Sequence, residues 1–145
     1  MKFSVASARD KEQIKEILVN CGLHHQDIRP VQLQHFLTAK DDITLNLAGV
    51  VGIERMGDVG LMRSLAVAEA YRRQGLATEL VKKIEKYARS QQVTTLYLLT
   101  LTAENFFTER GYQKTERESA PPALQETTEF KMLCPQTAVC MKKHL

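Results

Sequence analysis

Between residues 59 and 90 the chain carries the pattern that most limits its fold: an apolar run, a short turn rich in arginine, then a long two-faced segment. Leu76, Ala77, Leu80, Val81, Ile84, Tyr87 and Ala88 recur at helical spacing, while Lys82, Lys83, Glu85, Lys86 and Arg89 fall mostly on the opposite face. This spacing predicts a helix over 75–90 that buries one side. The stretch from Val59 to Val67 is largely apolar, which predicts a central strand. A strand feeding an amphipathic helix implies a layered domain with the helix laid on a sheet.

The flanking segments extend that plan. Residues 1–6 read as an edge strand, and Ser7 with Asp10 reads as a capping box opening a helix that carries Ile14, Ile17, Leu18 and Cys21 and stops at Gly22. The segment from His24 to Gln34 is ambiguous, with Pro30 able to open a short helix. Strands are expected over 36–40, 45–54 and 59–67, with turns at Asp41-Asp42 and at Met56-Gly57-Asp58. After the long helix come a strand over 94–100, a helix over 103–110 stopped by Gly111, and a strand over 112–118. A loop over 120–135, with room for a helical turn, leads to a last strand over 137–143. Antiparallel strands followed by strand–helix–strand predict an α/β (α+β) fold in a single domain over 1–145. Its mixed, mostly antiparallel central sheet of about six to seven strands is flanked by about four helices.

Chemistry concentrates where the strand meets the long helix, at Arg72-Arg73-Gln74-Gly75-Leu76-Ala77. A helix N-terminus exposes N–H groups and a partial positive charge, so it favours an anion. Gly75 and Ala77 keep side-chain bulk away from the backbone there, and Arg72 and Arg73 add charge suited to phosphate. The turn lacks the Gly-Lys-Ser/Thr ending of a P-loop and the three glycines of a dinucleotide-binding turn. Standing alone, it is as well explained by a simple chain reversal.

Its surroundings are more specific. The stretch from Arg63 to Ala77 resembles the acetyl-CoA-binding segment of the GNAT acetyltransferase superfamily, in which an Arg/Gln-x-x-Gly-x-Gly/Ala loop follows the fourth strand and opens the third helix. Residues 99–112, Leu-Thr-Leu-Thr-Ala-Glu-Asn-Phe-Phe-Thr-Glu-Arg-Gly-Tyr, resemble that superfamily's fifth strand and fourth helix, and within it the acetyltransferase domain of N-acetylglutamate synthase. Gly-Val-Val-Gly-Ile-Glu-Arg (49–55) and Thr-Glu-Phe-x-x-Leu-Cys-Pro-x-x-Ala-Val (128–139) are similar to small acetyltransferases found with arsenic-resistance genes.

The resemblance implies an acetyl-CoA-dependent N-acetyltransferase. Its acceptor would be a small amine, an amino acid or a charged analogue such as an organoarsenical. Acetyl-CoA would contact Leu65, Ala66 and Val67 along the strand, Arg72, Arg73, Gln74, Gly75, Leu76, Ala77 and Thr78 at the helix start, and Thr100 and Phe107 further on. Backbone N–H groups near 65–67 would polarise the thioester carbonyl. Phe107 stands where the family often has a proton-donating tyrosine, and Thr100 replaces a frequent asparagine, while Ala103 is kept. Glu54 is the candidate base, acting directly or through a water, or else a carboxylate paired with a neighbouring arginine. Arg63 is a candidate for an anionic group of the substrate, or else a structural ion pair. His24 and His25 fall in a loop that varies on the substrate side of the family, and Cys134, with Cys21, is a candidate for a thiophilic ligand or a plain thiol.

Composition supplies the exclusions. A net charge of +3 with dispersed lysines and arginines lacks the basic stripe of a nucleic-acid binder. No apolar run approaches the roughly 20 residues of a membrane span, and the first residues lack a secretory pattern, so a cytoplasmic protein is expected. Three cysteines without paired spacing point to neither a disulfide framework nor a metal site. A small-molecule amine is the expected partner, with a homodimer formed through sheet edges as a further expectation. A non-catalytic acyl-CoA-binding sensor or partner module is the alternative to an enzyme.

Overall fold

The computed structural model describes residues 1–133 and 137–145. Seven strands form one sheet: β1 (Lys2–Val5), β2 (Phe36–Lys40), β3 (Leu47–Met56), β4 (Val59–Val67), β5 (Thr95–Thr100), β6 (Gln113–Thr115) and β7 (Val139–His144). Their hydrogen-bonded order is β1-β2-β3-β4-β5-β7-β6. The helices are α1 (Lys11–Asn20), α2 (Pro30–Leu33), α3 (Leu76–Ser90), α4 (Glu104–Thr108) and α5 (Pro122–Gln125), with a π-helical turn over Glu129–Leu133. The chain divides into two compact units, one of residues 1–54 and 63–87, the other of residues 55–62 and 88–145.

In the first unit, β1 pairs antiparallel with β2, and β2 with β3, so Phe36 lies opposite Gly52. Side chains alternate between faces along β3. Val50 joins Ile14, Ile17 and Leu18 of α1, Leu33 of α2, Phe36 and Ala66 in one buried cluster. On the same face, a Cβ at Gly52 would sit 2.3 Å from the Phe36 ring, so the glycine makes room for the aromatic. Gly49 faces the other way, where a Cβ would meet Leu80 at 2.8 Å and the Ala66 carbonyl at 3.2 Å. That missing side chain lets α3 lie close on the sheet.

The start of α1 shows half of the expected capping box. The Ser7 N–H donates to Asp10 Oδ2 at 2.8 Å, while the Asp10 N–H goes to the Ser7 carbonyl. Lys40 Nζ donates to the other Asp10 oxygen at 2.7 Å. Gly22 takes φ +69 and ends the helix as expected. Pro30 does open a short helix.

In the second unit, β4 and β5 run parallel with Val59 opposite Thr95 and Leu61 opposite Tyr97. Strand β7 is antiparallel to both β5 and β6. Leu61, Tyr97, Ala120, Leu124, Phe130 and Cys140 form the buried cluster there. Burial pushes the Cys140 thiol up to about 11, which keeps it protonated and inert as a nucleophile.

Strands β2 and β4 have the limits read from the sequence. Three expectations need correction. The third strand starts at Leu47, not 45, because Leu45 adopts φ +61 in a turn whose Ile43 and Thr44 N–H groups donate to Asp41. The strand expected over 112–118 is only Gln113–Thr115, since Arg117–Ser119 turns into a 3-10 segment in which Ser119 Oγ donates to the Glu116 carbonyl. Glu85, placed mostly with the polar face of α3, is buried at 5% exposure.

Candidate functional site

The passage from β4 into α3 is built from unusual backbone. Ser64 holds φ +61 in the middle of β4, a left-handed residue that interrupts the regular pleat. Past the strand, Glu69–Tyr71 forms a 3-10 turn, Arg72 is extended, and Arg73 and Gly75 both take left-handed angles, φ +64 and φ +78. Helix α3 then begins at Leu76, and the Glu79 N–H closes its first turn on the Gly75 carbonyl at 3.1 Å. Backbone of this kind gathers N–H groups on one side ahead of a helix N-terminus. Arg73, Gln74 and Gly75 are exposed, whereas Leu76 is buried and pins the helix start to the core. A Cβ at Gly75 would meet no atom within 4 Å, so it is the left-handed angle that calls for glycine here.

Side chains fix this loop from beneath. Arg72 Nε donates to the Val67 carbonyl at 3.0 Å, and its Nη2 lies 3.5 Å from Cys21 Sγ. The Cys21 thiol faces the same Val67 carbonyl at 3.7 Å. Arg72 is therefore partly committed to holding β4 against the end of α1. Arg73 is the arginine of the pair with the exposed, left-handed backbone.

The second group of candidates meets on the α1 face of β3. The Arg63 side chain is 1% exposed, yet its charge is matched. Asp27 receives a two-pronged contact, Nη1 donating to Oδ2 and Nη2 to Oδ1 at 2.8 Å. Glu54 Oε2 accepts from Nη1 at 3.2 Å, and Nε donates to Ser64 Oγ at 3.1 Å. Burial pushes the Asp27 carboxyl up, but the hydrogen bond and charge of Arg63, helped by His24, outweigh it and hold the group below its usual range. Arg63 thus does not lie open as a lone cation. It joins two carboxylates of its own chain, and Asp27 is a member of the group that sequence reasoning missed.

Thr100 and Phe107 belong to the second unit. Thr100 Oγ1 accepts from the Ala103 N–H at 3.0 Å, just ahead of α4. The Phe107 ring is buried and packs edge-on against Phe106 and Tyr112 at 5.1 and 5.6 Å. Its surroundings account for it as a core residue. His24 and His25 lie in the loop between α1 and α2. Cys134 lies outside the described residues. Among the described residues, no group of three or more His, Cys, Asp or Glu side chains is placed to hold a metal ion, and no helix is long and apolar enough to cross a membrane.

Comparison with known proteins agrees with this geometry. A model of the acetyltransferase (GNAT) family matches residues 7–114. An amino-acid acetyltransferase of Pseudomonas fluorescens is 39% identical over 66 residues, which cover 46% of this chain and 15% of that protein. N-acetylglutamate synthase from Neisseria gonorrhoeae, crystallised with coenzyme A and N-acetyl-glutamate, superposes with a TM-score of 0.85 at 20% identity, over 99% of this chain and 35% of that one. Rv2747 from Mycobacterium tuberculosis, crystallised in complex with CoA, superposes with a TM-score of 0.82 at 19% identity, over 100% and 99% of the two chains. The chain thus spans about a third of the synthase and a smaller part of the amino-acid acetyltransferases it matches.

Proposed function

The chain belongs to the acetyltransferase (GNAT) family, and on that premise we propose that it transfers the acetyl group of acetyl-CoA to the amine of a free amino acid. The observation that carries this reading is the left-handed turn at Arg73 and Gly75, set between an interrupted strand and the first turn of α3. That turn suits a pyrophosphate, held by backbone N–H groups over 73–78 and by the Arg73 charge. Amides over 65–67 suit the thioester oxygen, on which negative charge develops as the amine attacks.

The chemistry then needs little more than placement. The amine nitrogen forms a bond to the carbonyl carbon and the carbon–sulfur bond breaks. The bound ammonium first passes a proton to Glu54, directly or through a water, which frees the attacking lone pair. After attack the nitrogen loses its second proton to solvent and the departing thiolate takes one from solvent. Phe107 supplies no proton, and the reading does not require it to. Arg63 and Glu54, 3.2 Å apart, match the two charges of an amino acid: the guanidinium suits the carboxylate and Glu54 the neighbouring ammonium. The names of the relatives, amino-acid acetyltransferase and N-acetylglutamate synthase, support the same acceptor class.

The test has two stages. Acetyl-CoA should raise the melting temperature, because a ligand that binds only the folded state stabilises it. Release of the CoA thiol should then depend on an added amino acid, with an arsenical amino-acid analogue included in the panel. A thermal shift without thiol release across the panel would reduce the protein to an acyl-CoA-binding module. No shift at all would remove the reading.

A further inference from the structure

The loop between α1 and α2 brings an acid of the chain onto Arg63. We propose that the Asp27 carboxylate occupies the seat an acceptor's carboxylate takes, and that a free amino acid binds by displacing it. This rests on the reading of Arg63 and Glu54 as the acceptor's charge clamp.

Three observations lead there. First, the contact is two-pronged, with both Asp27 oxygens on the two terminal nitrogens of Arg63. That is the arrangement in which a guanidinium takes any carboxylate. Second, Asp27 is attached to the chain in a way that allows it to leave. Residues 21–29 form neither helix nor strand, and Gly22 at φ +69 stands at the head of the segment. Ile28, buried at 4% exposure, fixes the far end of the segment, so the displacement falls on Asp27 and the residues before it. Third, Glu54 reaches the same guanidinium by one oxygen on Nη1 and leaves the two-pronged position to Asp27. A free amino acid brings a carboxylate and an ammonium one carbon apart. It can replace Asp27 on Arg63 while its amine meets Glu54. The incoming carboxylate leaves the buried cation matched, so the exchange avoids stranding a charge, the costly alternative.

Selectivity follows. An amine with no adjacent carboxylate cannot displace Asp27. Amino-acid amides and lysine side chains within proteins should be poor acceptors even where their amine is equally nucleophilic. The self-contact also weakens the binding of the true acceptor, because only the fraction of molecules with Asp27 displaced is competent.

Asp27→Asn tests this, since it keeps the shape and removes the charge. KM is measured for the best free amino acid of the panel and for its α-carboxamide. The expected result is a fall of about tenfold in KM for the free amino acid with kcat held, and no fall for the amide. A rise in KM for both, or no change in either, would overturn the proposal and leave Asp27 as a structural tie. Should the variant fail to fold, hydrogen exchange on the parent protein decides. The free amino acid should increase exchange across 22–29 and the amide should not, and unchanged or slower exchange would overturn the proposal. Calorimetric titration separates the two readings. Amino-acid binding without acetyl transfer removes the enzymatic reading and keeps the displacement, whereas no amino-acid binding removes the displacement itself.

Discussion

The phenolic hydroxyl of Tyr71 donates to Asp41 Oδ2 at 3.0 Å, joining the turn that precedes α3 to the β2–β3 hairpin. The other Asp41 oxygen already accepts from the Ile43 and Thr44 N–H groups at 2.8 and 3.0 Å. One half-buried carboxylate therefore sets the hairpin tip and the approach to the anion-binding turn together. Those backbone donors, Thr44 first, then Ile43, with Tyr71 after them, hold the Asp41 carboxyl below its usual range.

Tyr71→Phe removes this tie without removing the ring. Loop order should suffer more than global stability. The expected result is an affinity for CoA weaker by about fivefold, with a melting temperature close to the parent's, read by calorimetry and by thermal unfolding.

Gly75 and Arg73 should respond in opposite senses. Gly75→Ala forces a Cβ onto φ +78 and should cost about 1 kcal/mol in the free protein, although the space there is open. Arg73→Gly relieves the left-handed strain at φ +64 and should leave the free protein as stable or slightly more so, while weakening acetyl-CoA binding through the lost charge. Gly75→Glu adds a negative charge to the same strain and should abolish the acetyl-CoA thermal shift.

Packing around Gly52 is testable without any ligand. Gly52→Ala drives a methyl into the Phe36 ring and should destabilise the protein by about 1–3 kcal/mol in denaturant titrations. Combining it with Phe36→Leu should recover part of that loss, because the two substitutions share one contact and their effects do not add.

Acid should weaken the first unit through Asp10 and Asp27. Burial raises both carboxyls, but Lys40 with Ser7 at Asp10, and Arg63 at Asp27, bring them below the ordinary value of 3.8. In that window the unfolded chain binds more protons than the folded one, so stability increases with pH. Their contribution is complete above the ordinary value and is lost as pH falls below it towards the folded values. Urea midpoints between pH 6 and pH 2.5 should show the fall, and Asp10→Asn should flatten part of it.

Local signals account for what was legible. Helix α3, strands β2 and β4, and the turn at 72–77 are written in periodicity and in glycine placement, which act over a few residues. The Arg63 group is different. Asp27 sits in a segment without periodicity and meets an arginine 36 positions away, so no spacing rule connects them. Glu85 shows the same limit, since helical phase assigns a face and not what covers it. The short β6 reflects hydrogen bonding among Thr115, Glu116 and Ser119, where polar side chains turn the chain early.

Arg63 ties the histories of three positions together. Losing the arginine first would take the same guanidinium from two carboxylates, Asp27 and Glu54, at once. Losing one acid first leaves an ordinary ion pair. Substitution is thus ordered: an acid must go before the arginine does. Lysine offers no detour, because one ammonium cannot reproduce a planar fork shared by two carboxylates. A lineage that changes its acceptor at this site would be expected to enter through Asp27.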